Sequence, residues 1–310
     1  MPNSSPAGPG SLRIAITGAS GLIGAAVRSR LDPAHTVIPL VRRAPGPGER
    51  RWDPLAGRLD PTVFSDVDVV VHLAGESIAG GRWSKSRLKA IRQSRAAGTA
   101  TIVAGIEAAS PRPRTLLSAS AVGYYGDRGD TTVDESRGAG TGFLPEVAVE
   151  WERATDPLLA IGVRVVTTRF GIVLSPAGGA LAKMLPPFRL GLGGRLGSGR
   201  QWMSWISVDD CAEAIGHLIG SSLAGPVNLV APEPVTNAEF TRTLGRVLNR
   251  PTLIPIPAAL LRAVVGGLAD EGLLASTRVV PTRLVGDGFR FRHPRLEDAL
   301  RHVLGRPEGP

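Results

Sequence analysis

A chain of 310 residues, 43% of them hydrophobic, suits one nucleotide-binding domain with a smaller lobe, and no apolar run in it reaches the length of a transmembrane helix. The single cysteine, Cys211, excludes an intrachain disulfide, and no grouping of His, Cys and Asp has metal-ligand spacing, so no metal is expected. The net charge of +9 is carried almost wholly by scattered arginines, with lysine only at Lys85, Lys89 and Lys183; the absence of a dense basic run with interleaved aromatics argues against nucleic acid as a partner and for an anionic ligand.

Residues 1–11 are Pro, Gly, Ser, Ala and Asn after the Met. They lack the basic start and apolar stretch of a signal peptide and read as a disordered tail, so a cytoplasmic location is expected. A β-branched run at 12–16 ends in a glycine-rich turn, and 22–31 has helical spacing with Leu22, Ile23, Val27 and Leu31 on one face. Strands are expected at 35–41 and at 68–73, the latter nearly all apolar, as a strand buried on both faces should be. A long helix falls within 83–108, strands at 115–118 and 163–168, and a mostly helical stretch at 142–161. The alternation predicts an α/β fold, a Rossmann-type doubly wound parallel sheet, over 12–170. After Phe170 it weakens. Pro186-Pro187 and five glycines between Gly191 and Gly199 predict a long loop, and helices are expected at 236–248, 258–268 and 294–304, the first opened by a Thr236/Glu239 capping box. Residues 171–310 therefore read as a small, mostly helical C-terminal substrate lobe, some of whose elements return to the sheet domain. Cys211 falls in a helical segment and reads as a packed thiol.

The run Thr17-Gly18-Ala19-Ser20-Gly21-Leu22-Ile23-Gly24 follows the first strand and opens the first helix. A phosphate needs backbone N–H groups at a helix N-terminus with no side chain in the way. Gly18 permits the turn, Gly21 lets a diphosphate approach, and Gly24 lets helix pack on strand. At the tip of the second strand stand Arg42 and Arg43, where an NAD site carries an acid for the ribose 2′-hydroxyl. An acid would repel a 2′-phosphate, whereas a guanidinium grips it, so NADP(H) is the expected cofactor, with at least one of the two arginines on its phosphate.

These residues, with His72-Leu73-Ala74-Gly75, Ser118-Ala119-Ser120-Ala121-Val122-Gly123-Tyr124-Tyr125-Gly126, Arg169-Phe170-Gly171-Ile172-Val173-Leu174 and Trp205-Ile206-Ser207-Val208-Asp209-Asp210, resemble an extended short-chain dehydrogenase/reductase. More narrowly the chain is similar to atypical NAD(P)-dependent epimerase-family proteins, through Gly75-Glu76-Ser77-Ile78, Gly81-Arg82-Trp83, Ser94-Arg95, Trp151-Glu152 and the C-terminal Arg278-Val279-Val280-Pro281. The resemblance spans about 12–304. It implies that Gly18, Ser20, Gly21, Leu22 and Ile23 surround the diphosphate, that Leu73, Ala74 and Gly75 line the ribose and diphosphate side, and that Val173 reaches the cofactor. Arg95 takes a place where extended members often carry Asn; it reaches a phosphate or serves a structural role.

Active members pair a Ser with Tyr-x-x-x-Lys on the following helix, the lysine making a phenolate accessible near neutral pH. Ser120 matches the Ser. The helix Phe143-Leu144-Pro145-Glu146-Val147-Ala148-Val149-Glu150-Trp151-Glu152 contains neither Tyr nor Lys. Substitutes are Tyr124 and Tyr125, the only tyrosines, and Glu76, just past the third strand, where open α/β sheets bind ligands. Glu150, Trp151 and Glu152 read as helix surface and packing, and Trp202 and Trp205 as core. Two readings stand. One is an NADP(H)-binding oxidoreductase or epimerase-like enzyme, monomer or homodimer, acting on a small polar substrate with Ser120, Tyr125 and Glu76 as its catalytic candidates. The other is a non-catalytic NADP(H)-binding sensor or regulator.

Overall fold

The computed structural model describes residues 10–307 apart from 55, 58 and 79; residues 1–9 of the expected tail lie outside the described residues. Seven strands, β1 (Arg13–Thr17), β2 (Thr36–Val41), β3 (Arg50–Arg51), β4 (Val69–His72), β5 (Thr115–Ala121), β6 (Arg164–Phe170) and β7 (Gly225–Leu229), form one sheet. Their order is β7-β6-β5-β4-β1-β2-β3, and every neighbouring pair is parallel. All four residues of β4 are buried, because helices cover both faces of the sheet.

Strand alternation sorts the side chains between the two covered faces. Ile14, Ile16, Val69, Val71, Leu117 and Val166 pack on one side with residues of α1 (Leu22–Leu31) and α6 (Val208–Gly220). Ala15, Val70, Leu116 and Val165 pack on the other with residues of α2 (Lys85–Ala108) and α4 (Asp156–Ala160). α3 (Phe143–Arg153) lies against α2 and β5. The order reverses at β1, between β2 and β4, and the cleft for a ligand lies off the carboxyl ends of these strands.

The C-terminal lobe is mostly helical, as its sequence suggests. α5 (Gly179–Arg189), α7 (Asn237–Leu248) and α10 (Leu296–Val303) enclose Trp205, Phe240, Leu244 and Leu300. α8 (Ala258–Val265) and α9 (Thr282–Gly286) complete it. Pro186 and Pro187 fall inside α5, not in a loop. Leu181, Leu185 and Phe188 recur at helical spacing and are buried, and this burial outweighs the loss of two N–H donors in the last turn. β7 and α6 go back to the central sheet and its helical layer, so 208–229 is part of the sheet domain. The pattern of β7, Gly-Pro-Val-Asn-Leu, is too short and too broken by Pro226 to announce a strand. α6 begins where the Ser207 hydroxyl accepts from the Asp210 N–H. Cys211, on this helix, is wholly buried and its thiol pKa is pushed up by that burial. Trp205 is core, as expected, while Trp202 is half-buried, donating to Asp130 Oδ1 at 2.9 Å under the guanidinium of Arg278.

Candidate functional site: a nucleotide cleft and a buried polar network

The glycine turn lies against the loop that follows β4. Gly18 has φ +68°, and a Cβ there would stand 3.0 Å from Ala74 N; this position is therefore closed to side chains on both counts. A Cβ at Gly24 would fall 2.1 Å from Gly18 O, so α1 rests directly on the turn. At Gly21 a Cβ would meet only Gly18 O, at 3.2 Å, and otherwise point into open space. Gly21 is also the N-cap of α1, with no side-chain cap, so the first N–H groups of the helix are left for a ligand, and Ser20 is exposed beside them. Leu22 reaches across to Gly178 and Gly179, while the Val173 side chain and Ile23 pack into the core below.

The loop after β4 is pinned from underneath. Thr17 Oγ1 accepts the N–H groups of Leu73 and Ala74, both at 3.1 Å. With two bonds accepted, its own proton goes to His72 Nδ1, 2.7 Å away. His72 then carries its proton on Nε2 and donates it to Thr99 Oγ1 at 3.1 Å. The imidazole is wholly buried, and burial lowers its pKa to about 4. Gly75, at the exposed end of this loop, has the Arg95 guanidinium as its nearest neighbour, 3.8 Å from a Cβ placed there. Arg95 donates to the carbonyls of Glu76 and Ile91 and lies over the Trp151 ring. Burial lowers its pKa to about 10, the nearby Glu76 opposing. The Glu76 carboxylate itself pairs with Arg87 at 3.1 Å, so Arg95 is a half-buried cation facing the cleft whose hydrogen-bond partners among the described residues are backbone carbonyls. Among the two arginines past β2, Arg43 is held in a fork by Glu49, at 2.6 and 2.7 Å, whereas Arg42 is exposed and has no partner among the described residues. An open cradle at Gly21, a free guanidinium at the tip of β2 and a half-buried cation beside Gly75 fit the diphosphate and 2′-phosphate of a dinucleotide.

Ser120 and Tyr125 are joined through Glu152 and Arg169, whereas the Glu76 carboxylate pairs with Arg87 instead. Ser120 is 2% exposed and donates to Glu152 Oε1 at 2.6 Å. Tyr125 is 0% exposed; its hydroxyl donates to Asn228 Oδ1 at 2.8 Å and accepts from Arg169 at 2.9 Å. With both bonds made and no approach to it, this phenol is a structural cross-brace, and burial raises its pKa. Tyr124 is half-exposed, its hydroxyl without a partner among the described residues.

The network turns on two residues that the sequence reading did not assign to the site. Glu152, expected on the helix surface, accepts two bonds from Arg169, each 2.7 Å, as well as that of Ser120. Arg169 is 3% exposed. Burial opposes its charge, but the Glu152 ion pair outweighs burial and its pKa is raised. The signal was present: an arginine within Val165-Val166-Thr167-Thr168-Arg169-Phe170 sits in a strand buried on both sides and requires a carboxylate from a neighbouring element.

Residues 14–229 match the NAD dependent epimerase/dehydratase family and residues 256–303 a domain of unknown function. An epimerase family protein of Mycobacterium bovis is 49% identical over 297 residues, 95% of this chain and 98% of that protein. The crystal structure of the human epimerase family protein SDR39U1 with NADPH superimposes with a TM-score of 0.87 at 34% identity, covering 95% of this chain and 99% of that one. A nucleoside-diphosphate sugar epimerase from Corynebacterium glutamicum gives 0.78 at 38% identity, over 95% of this chain and 58% of that one. The chain belongs to the NAD dependent epimerase/dehydratase family, in the extended short-chain dehydrogenase/reductase fold.

Proposed function

We propose that this chain binds NADP(H) and is an oxidoreductase or epimerase-like enzyme for a small polar substrate, working in the cytoplasm as a monomer or homodimer without nucleic-acid or membrane partners. The observation that carries the reading is the open cradle at Gly21 with Arg42 unpaired at the tip of β2, in a chain 34% identical to a protein crystallised with NADPH. The cofactor supplies hydride chemistry when bound. Gly18, Ser20, Gly21, Leu22 and Ile23 hold the diphosphate through backbone N–H groups, and Gly24 keeps α1 against the turn. Arg42 takes the 2′-phosphate, with Arg43 braced behind it by Glu49. Leu73, Ala74 and Gly75 form the floor, Arg95 neutralises a phosphate beside Gly75, and Val173 supports the cleft through its backbone. The substrate lies between the carboxyl edge of the sheet, the 191–199 segment and the C-terminal helices. Calorimetric titration tests the reading: NADPH binds more tightly than NADH, and equal affinities or a preference for NADH refute it.

A second reading, a non-catalytic NADP(H) sensor, is favoured by one observation: the hydroxyls of Ser120 and Tyr125 are both committed to the Glu152–Arg169 network. Tight NADPH binding without turnover of simple aldehydes, ketones or nucleotide sugars supports the sensor; turnover supports the enzyme.

A further inference from the structure

Tyr124 sits in the 3-10 turn at Val122–Tyr125, directly after the carboxyl end of β5. In the orientation proposed above, the diphosphate lies at β1 and the 2′-phosphate at β2. The other half of the dinucleotide then extends across β4 toward β5 and β6, which is where Tyr124 stands. The Arg169 guanidinium carbon is 3.5 Å from the centre of its ring, and the Tyr125 ring meets it edge-on at 5.4 Å. Its hydroxyl is free among the described residues, in a chain with only two tyrosines. The two other candidate hydroxyls have no proton to offer: that of Ser120 is given to Glu152 and that of Tyr125 to Asn228.

We infer that Tyr124 is the proton donor of this site, and that the missing Tyr-x-x-x-Lys pair is replaced by a tyrosine at the end of β5 stacked on an arginine of β6. The inference rests on the NADP(H) reading. The Oη–H bond of Tyr124 breaks and its proton goes to the carbonyl oxygen of the substrate, which becomes a hydroxyl as hydride from a reduced nicotinamide reaches the carbonyl carbon. The phenolate is left beside the fixed charge of Arg169 and regains a proton from water. Glu152 sits on the helix where the family carries Tyr and Lys, and it holds Arg169 in place with two 2.7 Å bonds. The substrate class is an aldehyde or ketone.

Two tyrosines make the test direct. Protein labelled with 3-fluorotyrosine gives two fluorine resonances, assigned with Tyr124→Phe and Tyr125→Phe. NADPH is expected to move the Tyr124 resonance, while adenosine 2′,5′-bisphosphate, which lacks the nicotinamide half, leaves it in place. A Tyr124 resonance indifferent to NADPH, or one moved equally by the truncated nucleotide, overturns the inference. In parallel, NADPH oxidation is followed with a panel of small aldehydes and ketones. Tyr124→Phe is expected to lower turnover about a hundredfold; a loss smaller than tenfold, or no turnover of any panel member by the unsubstituted protein, overturns the inference. Calorimetry on the same samples separates the two claims: no NADPH binding removes the cofactor reading itself, and binding with an unresponsive Tyr124 removes only the proton donor.

Discussion

His72 makes the protein acid-sensitive in a window where most carboxylates are still ionised. Its Nδ1 accepts the Thr17 proton, so a second proton on the ring would point at a donor and break the support of Leu73 and Ala74. The pKa falls from 6.5 to about 4 on burial. Between these values the unfolded chain binds a proton that the native one refuses, so stability is complete above pH 6.5 and drains as pH falls toward 4. A difference of 2.5 units corresponds to about 3 kcal/mol in all, of which about 2 kcal/mol is lost by pH 5. Urea unfolding at pH 7.5, 6.5, 5.5 and 5 measures the loss. Nitrogen-detected NMR of the five histidines follows the ring itself and shows the proton on Nε2 at neutral pH. A native His72 that titrates near 6.5, or stability that is flat or rising as pH drops from 6.5 to 5, refutes the reasoning.

Arg42→Ala is expected to weaken NADPH by about 1–3 kcal/mol, roughly 5- to 150-fold, with NADH unaffected; Arg43→Ala, whose guanidinium is already committed to Glu49, costs less, and the reverse ranking by calorimetry would contradict the geometry. Gly21→Val leaves a folded protein without NADPH affinity, because its side chain fills the open cradle; retained binding in a folded variant shows that the turn does not meet phosphate. Gly24→Ala pushes a methyl against Gly18 O and lowers the melting temperature by several degrees, and an unchanged melt would place α1 farther from the turn. Tyr125→Phe leaves Asn228 Oδ1 and one Arg169 N–H unpaired, costing about 1–3 kcal/mol in urea unfolding. Because burial raises the Tyr125 pKa, the same variant also removes a tyrosinate absorbance step above the usual tyrosine range; a step that survives it belongs elsewhere.

The sheet was legible where single residues face two covered layers. Val69-Val70-Val71 can only be a strand buried on both faces, and the glycines at 18 and 24 each answer to a contact that a Cβ would spoil, while the one at 21 keeps the cradle open. The reading of α1 at 22–31 agrees with the structure to the residue. What stayed hidden depends on distant partners. Glu152 lies in a helix whose sequence gives no sign that a strand arginine will claim it, and Arg43 differs from Arg42 only through Glu49, in the loop beyond. Tyr124 and Tyr125 are neighbours in sequence, and only the three-dimensional setting makes one a brace and the other a free phenol.

The return of the chain to the central sheet through β7 has a consequence for how this protein can be cut or recombined. The edge strand beside β6 and the helix beside α1 are both encoded after the lobe has begun. A fragment ending near residue 170 therefore exposes the flank of β6 and the apolar face of α1, and is no independent unit. The lobe is joined to the sheet as an insertion plus a tail, at 171–207 and beyond 229. A graft that exchanges the lobe between relatives must replace both pieces together and leave the strand between them in place.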